Sequence, residues 1–183
     1  MAVPFKTVSE SQTILTELMI PTYSNFGGKI HGGILLSLMD KVAYVTASKH
    51  YGGYCVTVAV DGVEFINPVE VGQLVSLKSS INYVGKSSMI VGIRVEALYP
   101  KTGIISHSNS SYFTMVAKND ANETDIVPGL ILENETEIRR FYEGLHLKIM
   151  SKQKREMLNS DFSHLSVDEI KNLLLNEKCQ VSF

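Results

Sequence analysis

The run PTYSNFGGKIHGG, from Pro21 to Gly33, restricts this chain's fold more than any other feature. Its proline and its glycines at 27, 28, 32 and 33 mark a loop of unusual glycine density. The pattern changes directly after it. Ile34, Leu35, Leu38, Met39, Val42, Val45 and Ala47 recur at helical spacing, and Gly52 and Gly53 supply the stop. The helix is apolar nearly all round, which predicts burial on more than one side.

The next residues supply a surface to bury it. Tyr54 to Ile66 alternates in the manner of a strand. Asp61-Gly62 interrupts the alternation, where a bulge or bend is expected, and Asn67-Pro68 ends it. Gln73 to Val84, Ser88 to Tyr99 and Ile104 to Ala117 predict three more long strands. Gly85-Lys86 and Lys101-Thr102-Gly103 form tight connections between them. Gln12 to Ile20 predicts a strand ahead of the loop. The order is strand, buried helix, then a meander of four strands. This predicts an α+β fold, a long central helix wrapped by an antiparallel sheet of five to six strands.

Downstream, Asn119 to Asp125 is a polar loop, and Glu133 to Leu158 is charged and helical. Ser166 to Lys178 predicts a short helix opened by a capping box of Ser166 and Glu169. Leu165, Ile170, Leu173 and Leu174 give it one apolar face. The expected organisation is one domain over 8–125 and a C-terminal helical extension over 126–183.

Apolar residues make up 44% of the 183, enough for a real core. A net charge of -2 excludes a global basic field for nucleic acid. Any anionic ligand must therefore be met by a local site. Cys55 and Cys179 form no CxxC pair, so a reducing compartment fits best. The first twelve residues lack the apolar stretch of a secretory signal, and no run reaches the roughly 20 apolar residues of a membrane span. The expectation is a cytoplasmic protein.

Four segments can carry chemistry. The Asn25–Gly33 loop lets backbone approach a ligand, and the first helical turn presents free N–H groups that can bind a developing oxyanion. A turn needed only for packing explains the same glycines. Asp40 lies two turns into an apolar helix, where a carboxylate is costly unless paired or used. It is either a general base or a structural aspartate paired with Lys41 or Tyr44. Asn25 can orient a water or a carbonyl, or simply tolerate a turn. Gly85-Lys86-Ser87-Ser88 can meet a phosphate or serve as an ordinary hairpin turn. His31 has no local partner, and donation to loop backbone is its expected role. Lys148, Lys152, Lys154 and Arg155 read as a solvated helix face. The histidines show no metal-ligand spacing, so no metal is expected.

The run Asn25-Phe-Gly-Gly-Lys-Ile-His-Gly-Gly-Ile-Leu-Leu-Ser-Leu-Met-Asp40 resembles the N-x-x-G-x-x-H/F-G-G-x6-D/E signature of hotdog acyl-CoA thioesterases. Val56 to Pro68, Val71-Gly72 and Gly85 to Met89 are similar to that family's following strand and turns. The resemblance covers roughly Ile14 to Ala117. It implies a homodimer as the minimal active unit, with sheets joined edge to edge, and larger trimers of dimers. Asp40 corresponds to the catalytic carboxylate, and Asn25 to the catalytic asparagine of the facing protomer. Gly33 falls where a backbone N–H polarises the thioester carbonyl. Gly32, Val60, Lys86, Ser87 and Ser88 fall where coenzyme A is met. No cofactor is implied, because coenzyme A enters with the substrate and leaves as product. Asp40 acts as general base on water, or as a nucleophile forming an anhydride.

Two rivals use the same fold. A dehydratase or hydratase needs a histidine paired with a carboxylate, and the spacing of His31 to Asp40 fits it less well. A non-catalytic acyl-CoA-binding regulator has no need of both Asn25 and Asp40. Acyl-chain length depends on the depth beside the helix, where Tyr44, Tyr51 and Phe65 are candidate floors.

Overall fold

Helix α2 (Gly32–Tyr51) runs between the two glycine signals that predict it. The computed structural model describes residues 4–159 and 164–182; positions 160–163 and 183 of the expected C-terminal extension lie outside the described residues. His31 caps the start of α2, and Gly52, at φ 91°, closes it in the left-handed conformation that glycine adopts without cost. Leu35, Leu38, Met39, Val42, Ala43 and Ala47 form its buried stripe. Each of the larger ones contributes about 1.5–3 kcal/mol on full burial. Tyr44 and Val45 stay 41% and 42% exposed. Within one chain the helix is therefore buried on one face only, a correction to the all-round pattern. It carries more apolar surface than one sheet can cover.

The stripe packs on a five-stranded antiparallel sheet of β2 (Thr13–Leu18), β3 (Cys55–Asp61), β4 (Leu74–Val84), β5 (Ser88–Tyr99) and β6 (Ile104–Ala117). The order is β2-β4-β5-β6-β3. Only β4, β5 and β6 form a meander. The first of the four expected meander strands, β3, pairs with β6 instead and occupies the far edge. Residues 62–73 make the crossover, and its backbone is satisfied along the way. Ile66 N–H donates to Ser108 O at 2.9 Å, and Asn67 Nδ2 donates to His107 O at 2.9 Å. The bulge in β3 falls between Thr57 and Ala59, not at Gly62. Gly62, at φ 67°, turns the chain out of the strand.

One further piece of sheet has no counterpart in the sequence pattern. β1 (Phe5–Thr7) pairs in parallel with β7 (Gly129–Ile131), with the single turn α1 (Val8–Ser11) between β1 and β2. This clasp lies at the C-terminal end of α2. Lys6 Nζ donates to His50 O at 2.7 Å, where the helix dipole is negative. His50 is fully buried, and its Nε2 donates to Pro128 O at 3.0 Å. Its Nδ1 has no partner among the described residues.

Contacts divide the chain into one unit ending at Leu147 and a second beginning at Lys148. Helix α3 (Glu135–Leu158) begins in the first. There the Phe141 ring stands 5.0 Å from that of Tyr83, and a Cβ on Gly144 would lie 2.6 Å from Tyr83 Cβ. In the second unit, α4 (Val167–Leu173) is opened by the expected capping box of Ser166 and Glu169. No helix among the described residues is long and apolar enough to cross a membrane.

Candidate active site

Gly33, Ser37 and Asp40 follow one another at helical i, i+4, i+7 spacing, so they share one face of α2. That face looks onto the end of β3. Together with Leu36, Val60, Val63 and Phe113 the three residues line a cavity of about 520 Å³. The wall is apolar except for Asp40, Ser37 and the backbone at Gly33. A thioester has that same mixture, a polar reacting carbon attached to an apolar chain.

Asp40 is held from the strand. Thr57 Oγ1 donates to Asp40 Oδ1 at 2.6 Å. The carboxylate thus pairs with neither Lys41 nor Tyr44, the two helix neighbours expected. Oδ1 is fixed, Oδ2 has no protein donor among the described residues, and the side chain is exposed where it lines the cavity. Thr57 and Ser37 are polar residues here that sequence reasoning missed, and it did not single out the apolar wall residues Leu36, Val63 and Phe113 either. Thr57 stands at the β3 bulge, which re-aims strand side chains, and no glycine or proline marks that bulge in the sequence.

The helix N-terminus differs from its expected state in one respect. Gly33 N–H donates to His31 Nδ1 at 2.9 Å, so the imidazole accepts from the loop backbone and does not donate to it. Gly32 N–H, one residue earlier, has no protein acceptor among the described residues. The Phe65 ring lies 3.3 Å from where a Cβ on Gly32 would stand, which puts Phe65 at this end of the helix. Tyr51 lies at the other end, its hydroxyl donating to Asp125 Oδ2 at 2.6 Å. That bond pushes the Tyr51 pKa up to about 12.

Asn25 is tied to its own loop. Its Oδ1 accepts from Gly27 N–H at 2.9 Å and Lys29 N–H at 3.2 Å. The loop is anchored by the Lys29–Glu70 ion pair and by Ile30 N–H donating to Val69 O at 2.8 Å. The side-chain amide Nδ2 has no protein acceptor among the described residues. Phe26, next along, is fully exposed. Asn25 does not line the cavity of its own chain.

Neither do Lys86, Ser87 and Ser88. Ser88 pairs with Val116 and Cys55 with Ala117, so this turn sits at the Cys55 end of β3. Val60 is five positions further along, about 17 Å at strand rise. Ala117 N–H donates to Ser87 O at 3.0 Å and Val127 N–H to Lys86 O at 3.0 Å. These bonds fix the turn's backbone and leave the Lys86 side chain exposed. One chain therefore brings together Gly33, Asp40 and Val60, with Gly32 adjacent, and keeps Asn25 and the Lys86 turn apart from them.

The geometry can be set beside known proteins. A model of the thioesterase superfamily matches residues 27–104. Protein VdlD of Helicobacter pylori is 43% identical over 144 residues, covering 79% of this chain and 82% of VdlD. An apo-hexameric acyl-CoA thioesterase superposes with a TM-score of 0.80 at 32% identity, over 86% of this chain and all of that one. The acyl-CoA hydrolase of Staphylococcus aureus, solved with butyryl coenzyme A, coenzyme A and coenzyme A disulfide, gives a TM-score of 0.72 at 29% identity, with coverage of 86% and 100%. Structures of that enzyme are also known with alanine in place of one asparagine, one aspartate and one threonine.

Proposed function

The chain belongs to the thioesterase superfamily of hotdog proteins, and from that premise we propose that it hydrolyses acyl-CoA thioesters with Asp40 as general base. One observation carries the reading. Asp40, fixed by Thr57, opens into an apolar cavity that also holds the N-terminal backbone of α2. The intervals between the asparagine, aspartate and threonine replaced in the Staphylococcus enzyme equal those between Asn25, Asp40 and Thr57.

In this mechanism the acyl chain lies along the apolar wall, with its carbonyl at the helix N-terminus. Water attacks the carbonyl carbon while the free oxygen of Asp40 takes its proton. Negative charge collects on the carbonyl oxygen, which the amide of Gly33 or Gly32 meets. One such donor is worth roughly 3 kcal/mol in a dry site. Gly33 serves in this way once the His31 imidazole turns off its N–H. The C–S bond then breaks, and the thiolate of coenzyme A leaves and recovers the proton from Asp40. No metal takes part, and coenzyme A is the only carrier.

Two protomers form the working unit. β3 is an edge strand with Val58 and Val60 exposed, Tyr54 just before it is exposed too, and Tyr44 and Val45 lie uncovered on α2. An exposed apolar edge of this kind marks a contact. Antiparallel pairing of β3 with its copy reverses the two ends. It carries the partner's Lys86 turn toward the cavity, where its lysine and hydroxyls meet phosphate. Asn25, whose amide stays free, reaches the cavity of the facing protomer and orients the water. Three such dimers make a hexamer, the state of the apo-hexameric relative.

Thiol release from a panel of acyl-CoAs tests the activity. Turnover of at least one chain length is expected, and no release from any would end the proposal. Shared sites are tested by mixing Asn25→Ala with Asp40→Ala protein under subunit exchange. Recovery of part of the wild-type rate is expected, and none after verified exchange would confine the site to one chain.

A further inference from the structure

The inner face of β6 carries a line of side chains that reaches the Asp40 cavity and runs on past it. Asn109, Ser111, Phe113, Met115 and Ala117 alternate onto the face that meets α2, and all five are buried. Phe113 lines the cavity. Ser111 and then Asn109 follow it along the strand, with Asn109 about 13 Å from Phe113 at strand rise. The crossover that supplies the wall residue Val63 is tied to the same stretch. Ser111 Oγ donates to Asp61 O at 3.0 Å, and Ile66 N–H donates to Ser108 O at 2.9 Å. From the helix, Met39, the neighbour of Asp40 in the chain, is fully buried against Asn109.

Asn109 is a polar side chain in an apolar place. It is fully buried, and so is Val95, its partner across β5. Asparagine is mostly exposed in folded proteins. Its Nδ2 donates to Met39 Sδ at 3.5 Å, and a thioether is a weak acceptor. Its Oδ1 has no partner among the described residues. Turning the amide over would bring Oδ1 to the sulfur, which has no hydrogen to give, so the carbonyl stays unpaired either way. A buried carbonyl without a donor is costly unless a ligand or a water supplies one.

The side chain that stands on Asn109 is also one that can move. Methionine is unbranched, has three rotatable bonds and repacks readily. With Met39 turned aside, the polar end of Asn109 faces the space that runs between α2 and β6 to Phe113.

We infer that the acyl pocket extends along β6 from Phe113 to Asn109 once Met39 swings aside, and that Asn109 Oδ1 accepts a hydrogen bond from a hydroxyl at the far end of a medium-length acyl chain. This rests on the reading of the Asp40 cavity as an acyl-CoA site. Asn109 sets specificity and takes no part in the chemistry. A plain chain of the same length leaves Oδ1 unpaired, whereas a hydroxylated one satisfies it. Sites built around such a bond reject the analogue that lacks the hydroxyl far more strongly than apolar pockets separate chains differing by one methylene.

Isothermal titration of the full chain with two thioether analogues, S-decyl-coenzyme A and S-(10-hydroxydecyl)-coenzyme A, reads this preference without hydrolysis. The hydroxylated analogue is expected to bind at least tenfold more tightly. Asn109→Leu is expected to abolish that preference and to hold S-decyl-coenzyme A at least as well as the wild type does. Where the leucine variant fails to fold, Asn109→Ala carries the same comparison. Equal affinities in the wild type overturn the inference, as does a preference that survives in the folded variant. Failure of both analogues to bind overturns it too. So does a raised melting temperature in Asn109→Leu with an unchanged affinity ratio, which makes the position the seat of a fixed water. Thiol release from decanoyl- and 10-hydroxydecanoyl-coenzyme A, measured in parallel, separates the two readings. The expected binding preference with no release from either thioester supports the pocket and removes the hydrolysis.

Discussion

Thr57 and Asp40 join strand β3 to helix α2 through a single hydrogen bond of 2.6 Å between hydroxyl and carboxylate. Without it, an aspartate on an exposed helix face samples several rotamers. With it, Oδ1 is fixed, and Oδ2 has no protein donor among the described residues, as the proposed proton transfer requires. The threonine hydroxyl also approaches Met115 Sδ at 3.2 Å, so its own rotamer is set by the core.

Thr57→Val keeps the shape of that side chain and removes the donor. A hydrogen bond to a charged group contributes about 1.5–3 kcal/mol, so kcat is expected to fall roughly 10- to 100-fold. KM is expected to change little, because the acyl chain meets other residues. Thr57→Ser is expected to restore most of the rate. Steady-state kinetics on the three proteins checks this, and wild-type kcat in the valine variant would remove Thr57 from the site.

Phe26 stands fully exposed beside Asn25. An exposed aromatic ring is the kind of surface that marks a contact with another protein, and the proposed assembly would cover it. Phe26→Asp is expected to shift the protein to smaller species in sedimentation velocity and to lower activity in step with dissociation. An assembly unchanged in size would free the loop from any interface.

Acid should destabilise the fold through His50. Burial holds its pKa below the ordinary 6.5, despite the bond to Pro128 that acts the other way. The unfolded chain then binds a proton that the folded chain resists. The stability contributed by neutral His50 is complete above the unfolded pKa and is lost as pH falls through about 6.5 toward the lower folded value. Denaturant titrations between about pH 7.5 and 5.5 check this, because perturbed carboxylates such as Asp125 act at lower pH. His50→Gln, which keeps an amide donor for Pro128, is expected to flatten the slope. An equal slope in both proteins would assign it elsewhere.

The helix and most of the sheet were legible in the sequence because their signals are local. Gly33 and Gly52 punctuate α2, and β5 and β6 have the bounds their alternation predicts. Which strands pair is a long-range matter, so β3 reads as part of a meander when it crosses to the far edge. The β1–β7 clasp is two runs of three residues, too short to carry a period. At the site, Asp40 stood out as a carboxylate in an apolar helix. Thr57 did not, because a threonine in a strand is unremarked until the fold sets it opposite Asp40. The occupation of Gly33 N–H by His31 is likewise a matter of rotamer and not of residue type.

The most direct measurement is the rate of thiol release by Asp40→Ala protein whose melting temperature and sedimentation match the wild type. The account expects kcat to fall by about 10²- to 10⁴-fold, the contribution of a positioned general base. Turnover within a few-fold of wild type in that folded, assembled variant would contradict it.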